Sequence, residues 1–320
     1  MVHGRFKASW WLPGGHSQTL WPVLTRRVPL QVRSERLELP DGDFVRLDWV
    51  GQRGPLVIVL PGLQGDIESA YVRGLLRACE SRGWRGVLLN YRGHGEPNRQ
   101  MRSYHCGMTC DLHHLVHHLA EREPNTPIGV VGYSVGANIS LKWLGECGQR
   151  GQPLPIAAAV GVSAPFYLGA VAQQIERGFS RIYQWYLLRS LRRDVVRKME
   201  AMGDNLGLTR RDLRRLNTFF KFDDRISGPW HGFRDAKDYY AKTRSDVLLR
   251  HVAVPTLIVS AHNDPLVPPH LIPRACDVSD KVTLEVTDGG GHLGFVSGRW
   301  PWSPQFWLDT RVPEFLASFF

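Results

Sequence analysis

Apolar residues fall along the chain in two alternating rhythms. Short continuous runs such as Leu56-Val57-Ile58-Val59-Leu60 and Pro255-Thr256-Leu257-Ile258-Val259-Ser260 read as strands buried on both faces. Between them, apolar positions recur three and four apart, the spacing of helices laid against a sheet. After an N-terminal arm, residues 43–50 alternate as a strand, and the buried run 56–60 follows. Helices are expected over about 70–82, 109–121 and 139–147, with strands at 86–90, in the run ending at Tyr133, and at 156–163. This alternation implies right-handed crossovers and an α/β class fold, a mostly parallel central sheet flanked by helices.

The rhythm changes after Ala164-Pro165. Residues 166–250 contain no buried-strand run; they are helical, aromatic and basic. The strand pattern resumes at 255–260 and 281–287, and a closing helix is expected from about 304. The organisation expected is therefore an arm and the first part of the α/β core over 1–165, an inserted helical cap over 166–250, and the remainder of the core over 251–320. Such a cap would stand above the strand ends, where open α/β sheets bind ligands.

The run Ile128-Gly-Val-Val leads into Gly132-Tyr133-Ser134-Val135-Gly136, and an amphipathic stretch leaves on the far side. A strand, a sharp turn and a helix place Ser134 at a strained apex, with Gly132 and Gly136 omitting the Cβ atoms that would collide. A serine hydroxyl is a poor nucleophile at neutral pH and needs a base, itself oriented by a third group. Asp264 lies in the loop directly after the 255–260 strand, and His292 in the glycine-rich loop Asp288-Gly-Gly-Gly-His292 before the final helix. Serine, acid and histidine in that order, each in a loop after a strand, suit acyl chemistry at one site. Asp288, His262 and His270 rank below them as partners. Two backbone amides are expected to hold an oxyanion: Val135, which follows the nucleophile, and Leu63, in the loop Leu60-Pro61-Gly62-Leu63-Gln64-Gly65 after the first buried strand.

With these pieces placed, the chain resembles the YheT-like family of α/β-hydrolases, predicted esterases related to mammalian membrane-tethered lipid hydrolases. The likeness runs nearly end to end, through His16-Ser-Gln-Thr-Leu20, Leu39-Pro-Asp-Gly-Asp-Phe44, Gly93-His-Gly-Glu-Pro-Asn-Arg99, Gly132 to Asn138, Phe222-Asp-Asp224, Asp238-Tyr-Tyr240 and Gly290-Gly-His-Leu-Gly-Phe295. The resemblance implies an α/β-hydrolase fold with an inserted helical cap and a charge relay of Ser134, Asp264 and His292. Two positions depart from the pattern: Pro61 stands where family members usually have His, and the Arg92-Gly-His-Gly95 loop is one residue shorter than expected. Both bear on pocket shape; neither removes a backbone donor.

Composition narrows the partners. Hydrophobic content of 43% with 22% charged residues is that of a soluble globular protein, and the absence of a membrane-length apolar run or a signal-peptide layout leads to a cytoplasmic expectation. Five cysteines without a Cys-x-x-Cys pair suit reduced thiols packed as small core residues. The net charge of +10 is concentrated in the amphipathic basic stretch 177–198, read as a solvated face over a packed one and open to transient contact with a membrane surface. No nucleic-acid module is present. His113, His114, His117 and His118 form two pairs four apart but lack the Glu of a His-Glu-x-x-His site, so they are read as a solvated face rather than metal ligands. The tryptophans at 10, 11 and 21 and at 300, 302 and 307 are read as core or cap packing.

The function expected is a carboxylic-ester hydrolase, a serine esterase acting on a small-molecule, short- to medium-chain or lipid-like ester through an acyl-enzyme, with no cofactor and no metal. Acyl transfer or thioester hydrolysis would use the same triad. A membrane-surface lipid-binding protein with a vestigial triad is the reading from a different class. Oligomeric state is not legible in the chain.

Overall fold

The computed structural model describes residues 2–3, 6–202 and 207–320. Residues 1, 4 and 5 of the expected arm and 203–206 of the expected insertion lie outside them.

The strands are β1 (Val2–His3), β2 (Arg33–Glu38), β3 (Phe44–Val50), β4 (Leu56–Leu60), β5 (Arg85–Asn90), β6 (Ile128–Tyr133), β7 (Ala158–Val162), β8 (Thr256–Ala261) and β9 (Val282–Thr287). They form one sheet in the order β1-β9-β8-β7-β6-β4-β5-β3-β2. Only β3 pairs antiparallel, with β2 on one side and β5 on the other; all remaining pairs are parallel. A small ribbon of β10 (Val296–Ser297) and β11 (Gln305–Phe306) lies apart.

The helices before the break in rhythm are α1 (Gly15–Thr25), α2 (Ala70–Ser81), α3 (Cys110–Arg122) and α4 (Val135–Gln149). Between β7 and β8 lie α5 (Leu168–Ile175), α6 (Arg181–Met202), α7 (Arg210–Arg215), α8 (Phe219–Phe222), α9 (Gly228–Trp230) and α10 (Ala236–Lys242); α11 (Leu308–Ala317) ends the fold. The two-residue alternation of a strand decides which layer each side chain joins. In β4, Leu56, Ile58 and Leu60 pack with Leu112, Leu115 and Leu119 of α3 and Ile139 and Trp143 of α4. Val57 and Val59 face the other way, onto Val72, Leu75 and Leu76 of α2 and Val312 and Leu316 of α11. Burial on both faces is why these strands read as unbroken apolar runs. The helices between β7 and β8 have a small core of their own, including Leu188, Leu213, Phe222 and Ile226.

Several expectations change. The closing helix begins at Leu308 rather than near 304, because Gln305 and Phe306 pair with Ser297 and Val296. The arm, for which the pattern predicts no element, forms α1, and β2 follows as an edge strand whose Arg and Glu side chains are mostly exposed. Cys79, Cys106 and Cys147 are buried as expected, but Cys110 and Cys276 are exposed. Trp10, Trp300 and Trp302 are exposed too, whereas Trp307 packs on Phe6 and Phe295.

The amphipathic basic stretch becomes α6, and its two faces do not divide as its pattern suggested. Ile182, Trp185 and Tyr186 are exposed beside the arginines, while Lys198 is buried, donating to Asn98 Oδ1 at 2.6 Å and to the Met101 carbonyl at 2.7 Å. Burial pulls the Lys198 ammonium down to about 8. The reason is the connection between β5 and α3. Arg92 is buried and binds Asp41, Asp43 and Asp111, Asn98 joins Asp43, and Lys198 completes this polar cluster from α6. Among the described residues, no helix is long and apolar enough to cross a membrane.

Candidate active site

β6 runs directly into α4 through Ser134, whose φ of 52° and ψ of −117° lie outside the ordinary regions for an L-residue. The glycines on either side make this turn possible. A Cβ on Gly132 would come within 2.4 Å of the Gly136 carbonyl oxygen, and one on Gly136 within 2.4 Å of the Leu60 carbonyl oxygen. Backbone, not a movable side chain, fills both spaces. The Gly136 N–H donates to the Pro61 carbonyl at 3.1 Å, and the same carbonyl accepts the Tyr91 hydroxyl at 2.8 Å. Pro61 therefore ties the β4 loop to the elbow through its carbonyl oxygen.

The structure brings Ser134, His292 and Asp264 together. His292 Nε2 is 2.8 Å from Ser134 Oγ, and His292 Nδ1 is 2.8 Å from Asp264 Oδ2. With Nδ1–H donating to the carboxylate, Nε2 is left as an acceptor for the serine proton. The other carboxylate oxygen, Asp264 Oδ1, accepts the backbone N–H of Leu266 at 2.8 Å and of Val267 at 3.0 Å. Its loop is thus folded around the acid. Asp264 and His292 are both buried, a setting in which a hydrogen bond to a charged group is stronger than in water. The competing candidates Asp288, His262 and His270 are exposed.

Around His292 the structure adds partners that local pattern did not suggest. The His292 N–H donates to Thr19 Oγ1 of α1 at 3.0 Å, and the Gly291 N–H donates to Asn263 Oδ1 at 3.0 Å. The Ser163 hydroxyl donates to the His292 carbonyl. Gln18 is fully buried and clamps the following segment: its amide nitrogen donates to Val296 O at 3.0 Å and its oxygen accepts Val296 N–H at 2.7 Å. The unexplained polar motif His16-Ser-Gln-Thr in the arm was the available signal. Its purpose becomes visible only with α1 laid against the loop.

The loop after β4 has a similar logic. The Gly62 N–H donates to the Tyr71 hydroxyl at 2.8 Å, and the Gln64 N–H to the Tyr104 hydroxyl at 3.3 Å. Leu63, between them, lines the pocket together with Ser134 and Val135. Among the described residues, the Leu63 and Val135 amides meet no protein acceptor outside their own elements. Tyrosines thus fasten the amides on either side of Leu63. Burial raises both phenols, Tyr71 to about 12, so each stays protonated.

The pocket above Ser134 is walled by Leu168 and Ile175 of α5, Leu187 of α6, Phe219 of α8 and Leu266 of the acid loop. Asp223 and Tyr240 are its polar members beyond Ser134 and His292, and sequence pattern assigned neither a role. Asp223 Oδ2 accepts the Tyr240 hydroxyl at 2.8 Å, and burial lifts the carboxyl to about 6 despite that bond and one from Ser227. The histidine quartet on α3 lies elsewhere; His113 Nδ1 accepts the Trp143 indole N–H at 3.2 Å. Among the described residues, no three His, Cys, Asp or Glu side chains are grouped to hold a metal ion.

Residues 55–298 match the family model described as alpha/beta hydrolase fold. The chain is 40% identical over 311 residues to the Escherichia coli (strain K12) protein named "Putative esterase YheT", covering 95% of this chain and 90% of that one. It is 29% identical over 322 residues to a mouse (Mus musculus) protein named Phospholipase ABHD3, covering 96% of this chain and 77% of the relative. Among solved structures, the Pyrococcus furiosus esterase Pf2001 superposes with a TM-score of 0.56 at 18% identity, covering 100% of this chain and 98% of that one. At that identity the likeness is one of fold.

Proposed function

The chain belongs to the α/β-hydrolase family and is YheT-like within it, and from that premise we propose that it is a serine-dependent carboxylic-ester hydrolase. The observation that carries this reading is the 2.8 Å approach of His292 Nε2 to Ser134 Oγ at the floor of an apolar pocket.

In the proposed cycle, Ser134 Oγ attacks the ester carbonyl carbon while its proton passes to His292 Nε2. The carbonyl oxygen becomes an oxyanion held by the Leu63 and Val135 amides, each such donor being worth roughly 3 kcal/mol. Asp264 orients the ring and stabilises the imidazolium. The imidazolium then protonates the departing alkoxide, leaving an acyl-enzyme on Ser134. Water gives a proton to His292, attacks the acyl carbon, and releases the acid with Ser134 restored. A thiol leaving group or an acceptor alcohol would enter the same cycle, so thioester hydrolysis and acyl transfer are variants of one intermediate. The leucine, isoleucine and phenylalanine walls favour short- to medium-chain or lipid-like esters. A fluorophosphonate probe and p-nitrophenyl esters of increasing chain length test the reading. Ser134-dependent labelling and turnover are expected; labelling that persists in Ser134→Ala, or no turnover of any ester, overturns it.

A second element of the reading concerns α6 and the turn just before it, which carries Phe179. Phe179, Ile182, Trp185 and Tyr186 are exposed next to exposed Arg181, Arg189 and Arg193, and Leu187 of the same helix walls the pocket. Aromatic side chains beside arginines suit the interface of an anionic bilayer, which would bring a lipid-like ester to the pocket. Flotation with vesicles containing phosphatidylserine should show binding that survives Ser134→Ala and is lost when Arg189, Arg192 and Arg193 are neutralised. No binding at low salt removes this element and leaves the ester chemistry untouched.

A further inference from the structure

Asp223 is the single carboxylate that lines the Ser134 pocket among the described residues. Its neighbour Asp224 has an evident structural role, since Asp224 Oδ1 accepts the Ala236 N–H at 3.1 Å, at the start of α10. Asp223 instead accepts the Tyr240 hydroxyl, and both residues lie in the pocket lining. Asp223 opens a five-residue π-helical turn, Asp223–Ser227, set between α8 and α9. Turns of this kind are rare and recur at functional positions, because the extra residue re-aims a side chain.

The surroundings make the choice of residue informative. Leu63, Leu168, Ile175, Leu187 and Phe219 share the lining. Among the described residues, no Lys, Arg or His lies within ion-pair reach of Asp223; its polar neighbours are the hydroxyls of Tyr240 and Ser227. An ionised carboxylate in apolar surroundings without a cation costs stability, and a pocket made only for a hydrocarbon chain gains nothing from it. We propose that Asp223 and Tyr240 form a polar subsite that takes a hydrogen-bond donor carried by the substrate, a free hydroxyl or a protonated amine, at a distance from the ester carbonyl.

This deepens the ester-hydrolase reading and rests on it. The Tyr240 proton is directed to Asp223 Oδ2, so the phenol oxygen keeps lone pairs for a substrate donor, and the carboxylate, which the Ser227 hydroxyl also meets, has acceptor sites beyond those two bonds. Both residues line the pocket. A substrate donor that stays unmatched would be rejected elsewhere in such a pocket, and a site built to receive one discriminates strongly against the analogue that lacks it.

The test compares matched esters differing only in the remote group. One series consists of p-nitrophenyl esters of hexanoic, ω-hydroxyhexanoic and ω-aminohexanoic acids; the other of hexanoate esters of butanol, butanediol and aminobutanol. In the unmodified protein, the donor-bearing member of at least one series should exceed its plain analogue in kcat/KM by about 10-fold or more. In Asp223→Leu that ratio should collapse toward one. Asp223→Asn should keep a preference for hydroxyl and lose one for amine, which separates the two donors, and Tyr240→Phe should lower the ratio if Asp223→Leu does not fold. Equal kcat/KM for plain and donor-bearing esters in both series overturns the inference while leaving ester hydrolysis standing. So does a ratio unchanged in both Asp223→Leu and Tyr240→Phe. No turnover of any ester by the unmodified protein overturns both.

Discussion

His292 and Ser134 are 158 positions apart in the chain, and their Nε2 and Oγ atoms stand 2.8 Å apart in the fold. Two strand-end loops bring them together, and the acid that orients the histidine is itself held by backbone amides. That arrangement makes the role of each oxygen of Asp264 testable.

Asp264→Asn should be inactive rather than merely weakened. The Leu266 and Val267 amides would select the asparagine oxygen, turning its NH2 toward His292 Nδ1. The ring would then carry its proton on Nε2, which could no longer accept from Ser134. A loss of kcat on the order of ten-thousand-fold is expected, with the thermal midpoint little changed. Steady-state kinetics with a p-nitrophenyl ester, paired with thermal unfolding, checks this.

Tyr71→Phe removes the hydroxyl that receives the Gly62 N–H and so loosens the loop that aims Leu63. One neutral hydrogen bond is worth about 1 kcal/mol, so kcat should fall roughly 5- to 10-fold. Because the effect lies in the aim of the oxyanion donor, KM should stay nearly constant. A change confined to KM would show that Tyr71 shapes the pocket instead.

Arg92→Met should destabilise the protein by about 3–5 kcal/mol, because it leaves Asp41, Asp43 and Asp111 facing one another around a buried site. Burial alone would raise Asp41, yet Arg92 and Arg102 hold it down to about 2, so its carboxylate stays charged through the neutral range. The midpoint of urea unfolding at neutral pH reads the loss directly. A midpoint within error of the unmodified protein would show that the cluster contributes no net stability.

Asp223 has the opposite dependence. Its carboxyl is raised by burial to about 6 from an ordinary 3.8, so the folded state binds a proton more tightly than the unfolded state does. Its contribution is fully present below pH 3.8 and is lost as pH rises through about 6, amounting at most to about 3 kcal/mol by the free-energy equivalent of that shift. Asp223→Asn should remove this fall. Urea unfolding between pH 4 and 7 should therefore show the variant gaining on the unmodified protein as pH increases. Parallel curves would mean that Asp223 titrates normally.

Much of the architecture was legible because periodicity is a local consequence of burial. Strands buried on both faces, such as Leu56–Leu60 and Thr256–Ala261, must be apolar throughout, and the helices between them must carry a stripe. β2 escaped because an edge strand has little to bury; its Arg and Glu side chains look like those of a loop. The helix expected from 304 began late because strand pairing of Gln305 and Phe306 competed with local propensity. α6 misled in another way. Its basic pattern does not distinguish Lys198, buried against Asn98, from Arg193 in solvent, since that difference is made by the β5 loop packed on it.

The sequence by itself determined the α/β alternation, the glycine-flanked turn at Ser134 and the chain order of Ser134, Asp264 and His292, because short-range sterics and the need to bury one face act within a few residues. Tertiary structure alone decided that Thr19 and Gln18 of the arm hold the His292 segment, that Tyr71 and Tyr104 fasten the amides on either side of Leu63, and that Asp223 turns into the pocket. Most of those are directional contacts between groups distant in the chain. Such contacts leave no period in the sequence, since one polar residue at the right place suffices.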